Sequence, residues 1–304
     1  MKKKILITGS NGLLGQKLVE QLINHPHFDL IATAKGENRS QIIDGYTYET
    51  LDIANSKEVH TVIQKHQPHF IINTAAMTNV DACESEQELC LTLNVNAVKF
   101  LVDASNKVGA HFIHLSTDFI FDGQAPGMYD EEAVPHPISF YADSKLMGEQ
   151  VVQTFAHRWS IARTIIVYGV VADMSRSNVI LWVKKNLEEG KNINVVNDQY
   201  RTPTLANDLA KGCILIAEKE AQGIFNLAGK DYMNIYELAI KVAHHWNLDA
   251  SLIHPSQSDT LKQPAKRPPI TGLDISKAQK VLGYAPLSFE EGLTEVENQL
   301  RRFS

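Results

Sequence analysis

Three cysteines among 304 residues are too few to build a disulfide framework. Cys83, Cys90 and Cys213 lack paired spacing and read as buried free thiols of a reducing compartment, with the cytoplasm as the default. No apolar run approaches the ~20 residues that a membrane-spanning helix needs. Lys2-Lys3-Lys4 could pass for the start of a signal peptide, but the apolar stretch behind it is short and breaks at Gly9. Basic residues are not in excess: 29 lysines and arginines against 35 acids give a formal charge of −6, with no basic stripe to meet nucleic acid. The twelve histidines are scattered, no His-Glu-x-x-His occurs, and His244 and His245 are adjacent and so point to different helix faces. No metal site is apparent. Repeats, low-complexity runs and flexible linkers are missing as well.

What remains is an ordinary soluble composition, 44% hydrophobic and 21% charged, long enough for one large domain or two closely joined ones. Strand-like and helix-like segments alternate. Strands are expected at Ile5–Ile7, Phe28–Thr33, Tyr46–Leu51, Phe70–Asn73, His111–Leu115 and Ile161–Val167. Helices are expected behind Leu14, Leu18, Leu22 and Ile23, then at Ser56–His66, Glu86–Val108 and Ala142–Phe155. This alternation predicts an α/β fold with a doubly wound parallel sheet. After Tyr168 the elements become shorter and mixed. Helices are expected over 175–190, Asn207–Lys219 and Ile235–Trp246, and short strands at Ile193–Val196 and Ile224–Leu227. A proline-rich irregular stretch follows over 255–272, and helices close the chain. The reading is a dinucleotide-binding domain over 1–168, rejoined by elements of about 197–227, and a smaller mixed α/β substrate lobe made mostly of 169–304.

The glycine turn Gly9-Ser10-Asn11-Gly12-Leu13-Leu14-Gly15 follows the first strand directly. Gly9 permits a tight turn, Gly12 leaves room for a pyrophosphate to approach the backbone, and Gly15 lets the helix pack on the sheet. The helix N-terminus then offers free N–H groups to phosphate. The same spacing also suits a turn with no ligand. At the end of the second strand stands Ala32-Thr33-Ala34-Lys35-Gly36, without the acid that would bind an unphosphorylated ribose. Lys35 or Arg39 could pair with a 2′-phosphate, or both could be solvated loop cations. Asp52, after the third strand, is either an acceptor for the adenine amino group or a strand-end cap.

Tyr141 and Lys145 are four apart and share a helix face. A cation one turn from a phenol lowers the phenol's pKa from about 10, as a general acid/base requires. Thr117 closes the fifth strand and could donate to a substrate oxygen while Tyr141 transfers the proton; alternatively it caps a turn. Cys83 and Cys90, a heptad apart on one expected helix, read as core.

Together these motifs resemble an extended short-chain dehydrogenase/reductase. Those that carry the likeness are the three glycines, Asn73-Thr74-Ala75-Ala76, Asn94, Ser116-Thr117-Asp118 and Tyr141-x-x-x-Lys145. Ala75–Glu86, Phe119–Gly123, Asp198–Thr204, Arg267-Pro268, Leu273-Asp274 and Lys277 are closest to the dTDP-4-dehydrorhamnose reductase family, and the likeness spans nearly the whole chain. The resemblance implies a Rossmann-like fold and NADPH as cofactor, with NADH possible. The reaction it implies is reduction of the C4 ketone of a nucleotide-linked deoxysugar. Tyr141 would be the proton donor, Lys145 the partner of the nicotinamide ribose and Thr117 the residue that orients the carbonyl.

The implied cofactor contacts are Gly9, Asn11, Gly12, Leu13, Gly15, Lys35, Arg39, Asp52, Ile53, Ala75, Ala76, Asn94, Tyr141 and Lys145. Asn94 would serve a proton relay or the geometry of the active-site helix, or be a satisfied helix amide. The implied substrate contacts are Thr117, Asp118, Asn178 and the phosphate-binding Arg201 and Arg267. Some members of the family are associated with Mg²⁺, for which no ligands can be placed here. Helices 86–108 and 142–155 pair subunits in many relatives, so a homodimer is expected by analogy. Phe119 stands where the family commonly has tyrosine, and Ile165-Ile166 where it often has tryptophan. Two other readings stay open: an epimerase or dehydratase that retains NAD, and a non-catalytic NADP-binding regulatory subunit.

Overall fold

The computed structural model describes residues 2–125, 127–171, 178–260 and 263–302. Its centre is a seven-stranded parallel sheet. From one edge to the other the strands are Gly223–Asn226, Trp159–Thr164, His111–Thr117, Phe70–Asn73, Lys3–Thr8, Phe28–Ala34 and Thr47–Thr50. The order reverses beside Lys3–Thr8, whose last residue Thr8 is flanked by Thr33 on one side and Asn73 on the other. That reversal leaves a crevice at the carboxyl ends of the strands, where open α/β sheets bind ligands. Helix Leu13–Leu22 packs with Ala206–Lys219 on one face. Ser56–His66, Ala97–Val108 and Phe140–Phe155 pack in a row on the other. Both faces are therefore covered, and Ile5, Leu6 and Ile7 are fully buried, worth ~1.5–3 kcal/mol each.

A second apolar core, with Ile180, Val183, Leu238, Val242, Leu293 and Val296, belongs to the smaller lobe. There Ile193–Val196 pairs with Ile253–Ser256, so the proline-rich stretch begins as a strand. Of the helix expected over 175–190, Val179–Glu188 is helical, and 175–177 lie outside the described residues.

Three local departures matter for the site. The helix expected from Glu86 is preceded by a separate short helix, Val80–Ser85, and broken by a π turn at Thr92–Asn96. Cys83 and Cys90 consequently lie on two helices rather than one, separated at Glu86, although both pack against Tyr141. The active-site helix starts at Phe140 and not at Ala142, because the Ser139 hydroxyl caps it by accepting from the Ala142 N–H. Finally, the sixth strand stops at Thr164. Ile166 adopts φ +40°, costly for a β-branched residue at roughly 1–3 kcal/mol. The turn sends Val167–Tyr168 to pair with Thr204–Leu205, and the Ile166 side chain packs against both cores.

Candidate active site

The glycine turn is built by close approach. Gly9 has φ +70°, and a Cβ there would lie 2.8 Å from Thr74 Oγ1 and 2.9 Å from the Ala75 nitrogen. At Gly15 a Cβ would fall 2.3 Å from the Gly9 carbonyl oxygen. Gly12 meets only that same oxygen, at 3.3 Å, so its other side is open. The following helix has no side-chain cap at Gly12. Its first-turn N–H groups and an open glycine beside them fit a pyrophosphate. Half-buried Ala75 and Ala76, at the end of strand Phe70–Asn73, form the next wall.

The rim of this cradle differs from expectation. Lys35 and Asp52 pair with each other at 2.7 Å. The lysine holds the Asp52 carboxyl below its usual range, and the other carboxylate oxygen accepts from the Ala54 N–H at 3.0 Å. Lys35 thus has a carboxylate partner on the rim, and Asp52 caps the end of the third strand. Ile53 is buried among Leu6, Ile31, Leu51 and Val59 instead of lining the rim with its side chain. Asn11 binds the loop behind the second strand, accepting from the Arg39 N–H at 2.9 Å and donating to the Glu37 carbonyl at 2.8 Å. Leu13 lies within reach of Gly169. Through its backbone N–H, Arg39 is thus tied to the glycine turn.

Thr117, Tyr141 and Lys145 converge at the carboxyl end of the central strands, each less than a tenth exposed. Tyr141 lies beside Thr117. Burial drives the phenol's pKa above its ordinary value; the neighbouring Thr117 hydroxyl opposes this, while the charge of Asp118 adds to it. Lys145 does not lower it: its ammonium donates to the Leu115 carbonyl at 2.6 Å, and burial brings its own pKa down to about 8. The spacing expectation thus fails on the electrostatics, although the two groups share a pocket. Phe119 sets its ring edge-on to Tyr141, with the Arg201 guanidinium over it.

Asn94 lies in the π turn and touches no open surface. It accepts from the Met77 N–H, donates to the Met77 carbonyl at 3.0 Å and donates to Ser144 Oγ at 2.9 Å. Gly148 makes room for this turn, since a Cβ there would lie 2.7 Å from the Asn94 carbonyl oxygen. Asn94 thus fixes the active-site helix beside the Ala75–Met77 segment.

The expected substrate residues divide. Asp118 is buried, accepting from Thr117 Oγ1 at 3.1 Å and from Thr271 Oγ1 at 2.5 Å. Arg201 is 2% exposed, and its guanidinium donates to the carbonyls of Tyr200, Pro268 and Pro269. A guanidinium used this way clamps the chain. Asn178 caps helix Val179–Glu188 and donates to the Gly169 carbonyl. Arg267 alone keeps a fifth of its side chain exposed, in a bidentate pair with Asp81 at 2.8 and 3.2 Å. Thr271, Asp81 and the buried Glu149–Arg163 pair escaped sequence reasoning, because nothing in their neighbourhoods marks partners found only in the fold. Among the described residues no group of three or more His, Cys, Asp or Glu could hold a metal ion, and no helix is long and apolar enough to cross a membrane.

A doubly wound sheet, an open glycine turn and a buried Thr–Tyr–Lys set at its switch point define an NAD(P)H-dependent oxidoreductase of the extended short-chain dehydrogenase/reductase class. The family described as RmlD substrate binding domain matches residues 2–302, and the chain belongs to it. It is 30% identical to a dTDP-4-dehydrorhamnose reductase of Aggregatibacter actinomycetemcomitans, over 96% of this chain and 98% of that one. It is also 31% identical to methionine adenosyltransferase 2 subunit beta of Xenopus laevis, over 92% and 82%. The crystal structure of Bacillus anthracis dTDP-4-dehydrorhamnose reductase in complex with NADP superposes with a TM-score of 0.86 at 29% identity, covering 98% of this chain and all of that one.

Proposed function

We propose that the chain reduces the C4 ketone of a nucleotide-linked deoxysugar, dTDP-4-dehydrorhamnose to dTDP-rhamnose, with NADPH. The observation that carries this reading is the convergence of the buried Thr117, Tyr141 and Lys145 at the carboxyl end of the central strands, where burial raises the phenol's pKa. The reductase relatives and the NADP-complexed neighbour support it. NADPH, when bound, supplies the hydride. As the new C–H bond forms at C4, the carbonyl electron pair moves onto oxygen, which takes the proton from Tyr141 Oη; the phenolate then recovers a proton from solvent. A phenol whose pKa is raised remains an acid at neutral pH, which suits reduction more than oxidation. Lys145, whose ammonium donates to the Leu115 carbonyl, is assigned to the nicotinamide ribose. The cradle of Gly9, Gly12 and Gly15 is assigned to the pyrophosphate, and Arg39 to the 2′-phosphate. Arg267 is assigned to the nucleotide diphosphate, exchanging Asp81 for phosphate oxygens.

The likeness to methionine adenosyltransferase 2 subunit beta favours a second reading, a nucleotide-binding subunit without chemistry of its own. The Thr117–Tyr141–Lys145 set weighs against it, since mere binding does not call for a buried phenol beside a buried amine. NADPH oxidation with dTDP-4-dehydro-6-deoxy-L-mannose, measured for wild type and Tyr141→Phe, separates the two. Turnover by wild type and its loss by about 10²–10⁴-fold in the variant are expected. NADPH binding without turnover on any nucleotide 4-ketosugar would overturn the enzyme reading.

A further inference from the structure

The Thr117 hydroxyl has one proton and two lone pairs. One lone pair accepts the Phe119 N–H at 3.2 Å, and the proton goes to Asp118 Oδ1 at 3.1 Å. Its single proton is committed to the carboxylate. In this arrangement Thr117 has nothing to give a ketone oxygen.

Resting on the ketoreductase reading above, we propose that Asp118 is a positioning residue for the reduction: it decides whether the Thr117 hydroxyl gives its proton to Asp118 or to the substrate oxygen. An ionised carboxylate only accepts, so it keeps the Thr117 proton turned away from the pocket. A protonated Asp118 can donate to Thr117 instead, which releases the Thr117 proton toward the developing alkoxide and places two donors on that oxygen. Ionised Asp118 also opposes loss of the Tyr141 proton by adding negative charge beside the phenol. Both effects make the ionised form a brake.

The surroundings favour such a change of state. Asp118 is 2% exposed. The groups that face it are Thr271 from the crossing segment behind Pro269, Arg201 from the small lobe with Nε at 3.9 Å, Thr117 from its own strand, and Tyr141 from the active-site helix. Arg201 is the one cation among them, and three backbone carbonyls hold its guanidinium. Burial outweighs Arg201 and the hydrogen bonds and lifts the Asp118 carboxyl to about 6. A diphosphate arriving nearby adds negative charge and favours protonation further. Because Thr271 and Arg201 reach Asp118 from the segments that roof the pocket, the roof sets the state of Thr117.

The test is the pH profile of NADPH oxidation on the 4-ketosugar by wild type, Asp118→Asn and Thr271→Val. An asparagine amide can donate to Thr117 permanently and does not titrate in this range. Wild-type kcat is expected to fall as pH rises through the Asp118 transition, while Asp118→Asn stays flat and exceeds wild type at about pH 8. Thr271→Val removes a hydrogen bond to the carboxylate and moves the wild-type transition up by roughly one pH unit. An Asp118→Asn profile parallel to wild type, uniformly lowered, would contradict the proposal, as would an unmoved Thr271→Val profile. Wild type inactive on every 4-ketosugar while binding NADPH would overturn the ketoreductase reading itself, and the role of Asp118 with it.

Discussion

The floor and the roof of the crevice handle polar groups in opposite ways. The floor, from Gly9 to Gly15, is made by taking side chains away: two glycines touch neighbouring backbone and the third stays open. The roof, from Tyr200 to Thr204 and from Ala265 to Leu273, is made by adding side chains that bind other parts of the chain. Arg201 donates to Pro268 and Pro269, Arg267 pairs with Asp81, and Thr271 donates to Asp118. A floor of bare backbone recognises what all dinucleotides share. A roof of cross-linked side chains can differ between relatives and can transmit its position to Thr117. On the proposed function, the floor would hold the cofactor and the roof would discriminate the sugar.

The largest break in this comparison is expected where the two regions share a support. Glu149, on the active-site helix, holds Arg163 of the neighbouring strand with bonds of 3.0 and 2.8 Å, both side chains almost wholly buried. Glu149→Ala leaves an uncompensated guanidinium and is expected to cost ~3–5 kcal/mol, read as a drop in urea midpoint with unchanged m-value. Next come the two roof arginines. Arg201→Leu abandons three carbonyls and should cost about 2–4 kcal/mol of stability. Arg267→Ala should move stability by less than ~1 kcal/mol yet raise the substrate KM about tenfold or more. If instead Arg201→Leu folds with wild-type stability and only KM rises, the clamp is wrongly assigned.

Two further tests reach the sheet beneath the crevice and the rim of the floor. His111, buried against Ser160, has its pKa brought down to about 4 by burial. The unfolded chain therefore binds the extra proton first. The stability held by neutral His111 is complete above pH ~6.5 and is lost as pH falls toward its folded value, by on the order of 3 kcal/mol. Chemical denaturation of His111→Asn across that interval should show a flatter slope than wild type. Lys35→Ala is expected to change NADPH affinity no more than about fivefold, since Lys35 is mostly exposed and already paired with Asp52. A loss of a hundredfold would return Lys35 to the cofactor.

The floor was legible in the sequence because its signals are local. Strand Phe70–Asn73 and helix Ser56–His66 have the bounds that period and capping indicate, with Asn55 as the cap. The Thr117, Tyr141 and Lys145 positions were readable from strand end and helix spacing. Their electrostatics were not, because the direction of the Lys145 amine depends on the Leu115 carbonyl thirty residues away. Arg201 and Asp118 show the same dependence on distant partners. An arginine in a short loop looks available until the fold brings Pro268 and Pro269 to it across 67 and 68 residues. Asn94 is a milder case: its pattern fits a helix amide, and the fold makes it the joint between Met77 and Ser144. Ile166 gave no sign at all of a left-handed backbone, which the meeting of two cores imposes.

The account stands or falls on a hydride passing from the floor to a sugar held by the roof. The direct measurement uses NADPH deuterated at the transferred position of the nicotinamide, with dTDP-4-dehydro-6-deoxy-L-mannose, and examines the product by proton NMR. The prediction is one deuterium at C4 of the sugar, and none formed by Tyr141→Phe on the same timescale. Deuterium retained wholly in the nicotinamide, with both ligands bound to wild type, would contradict it.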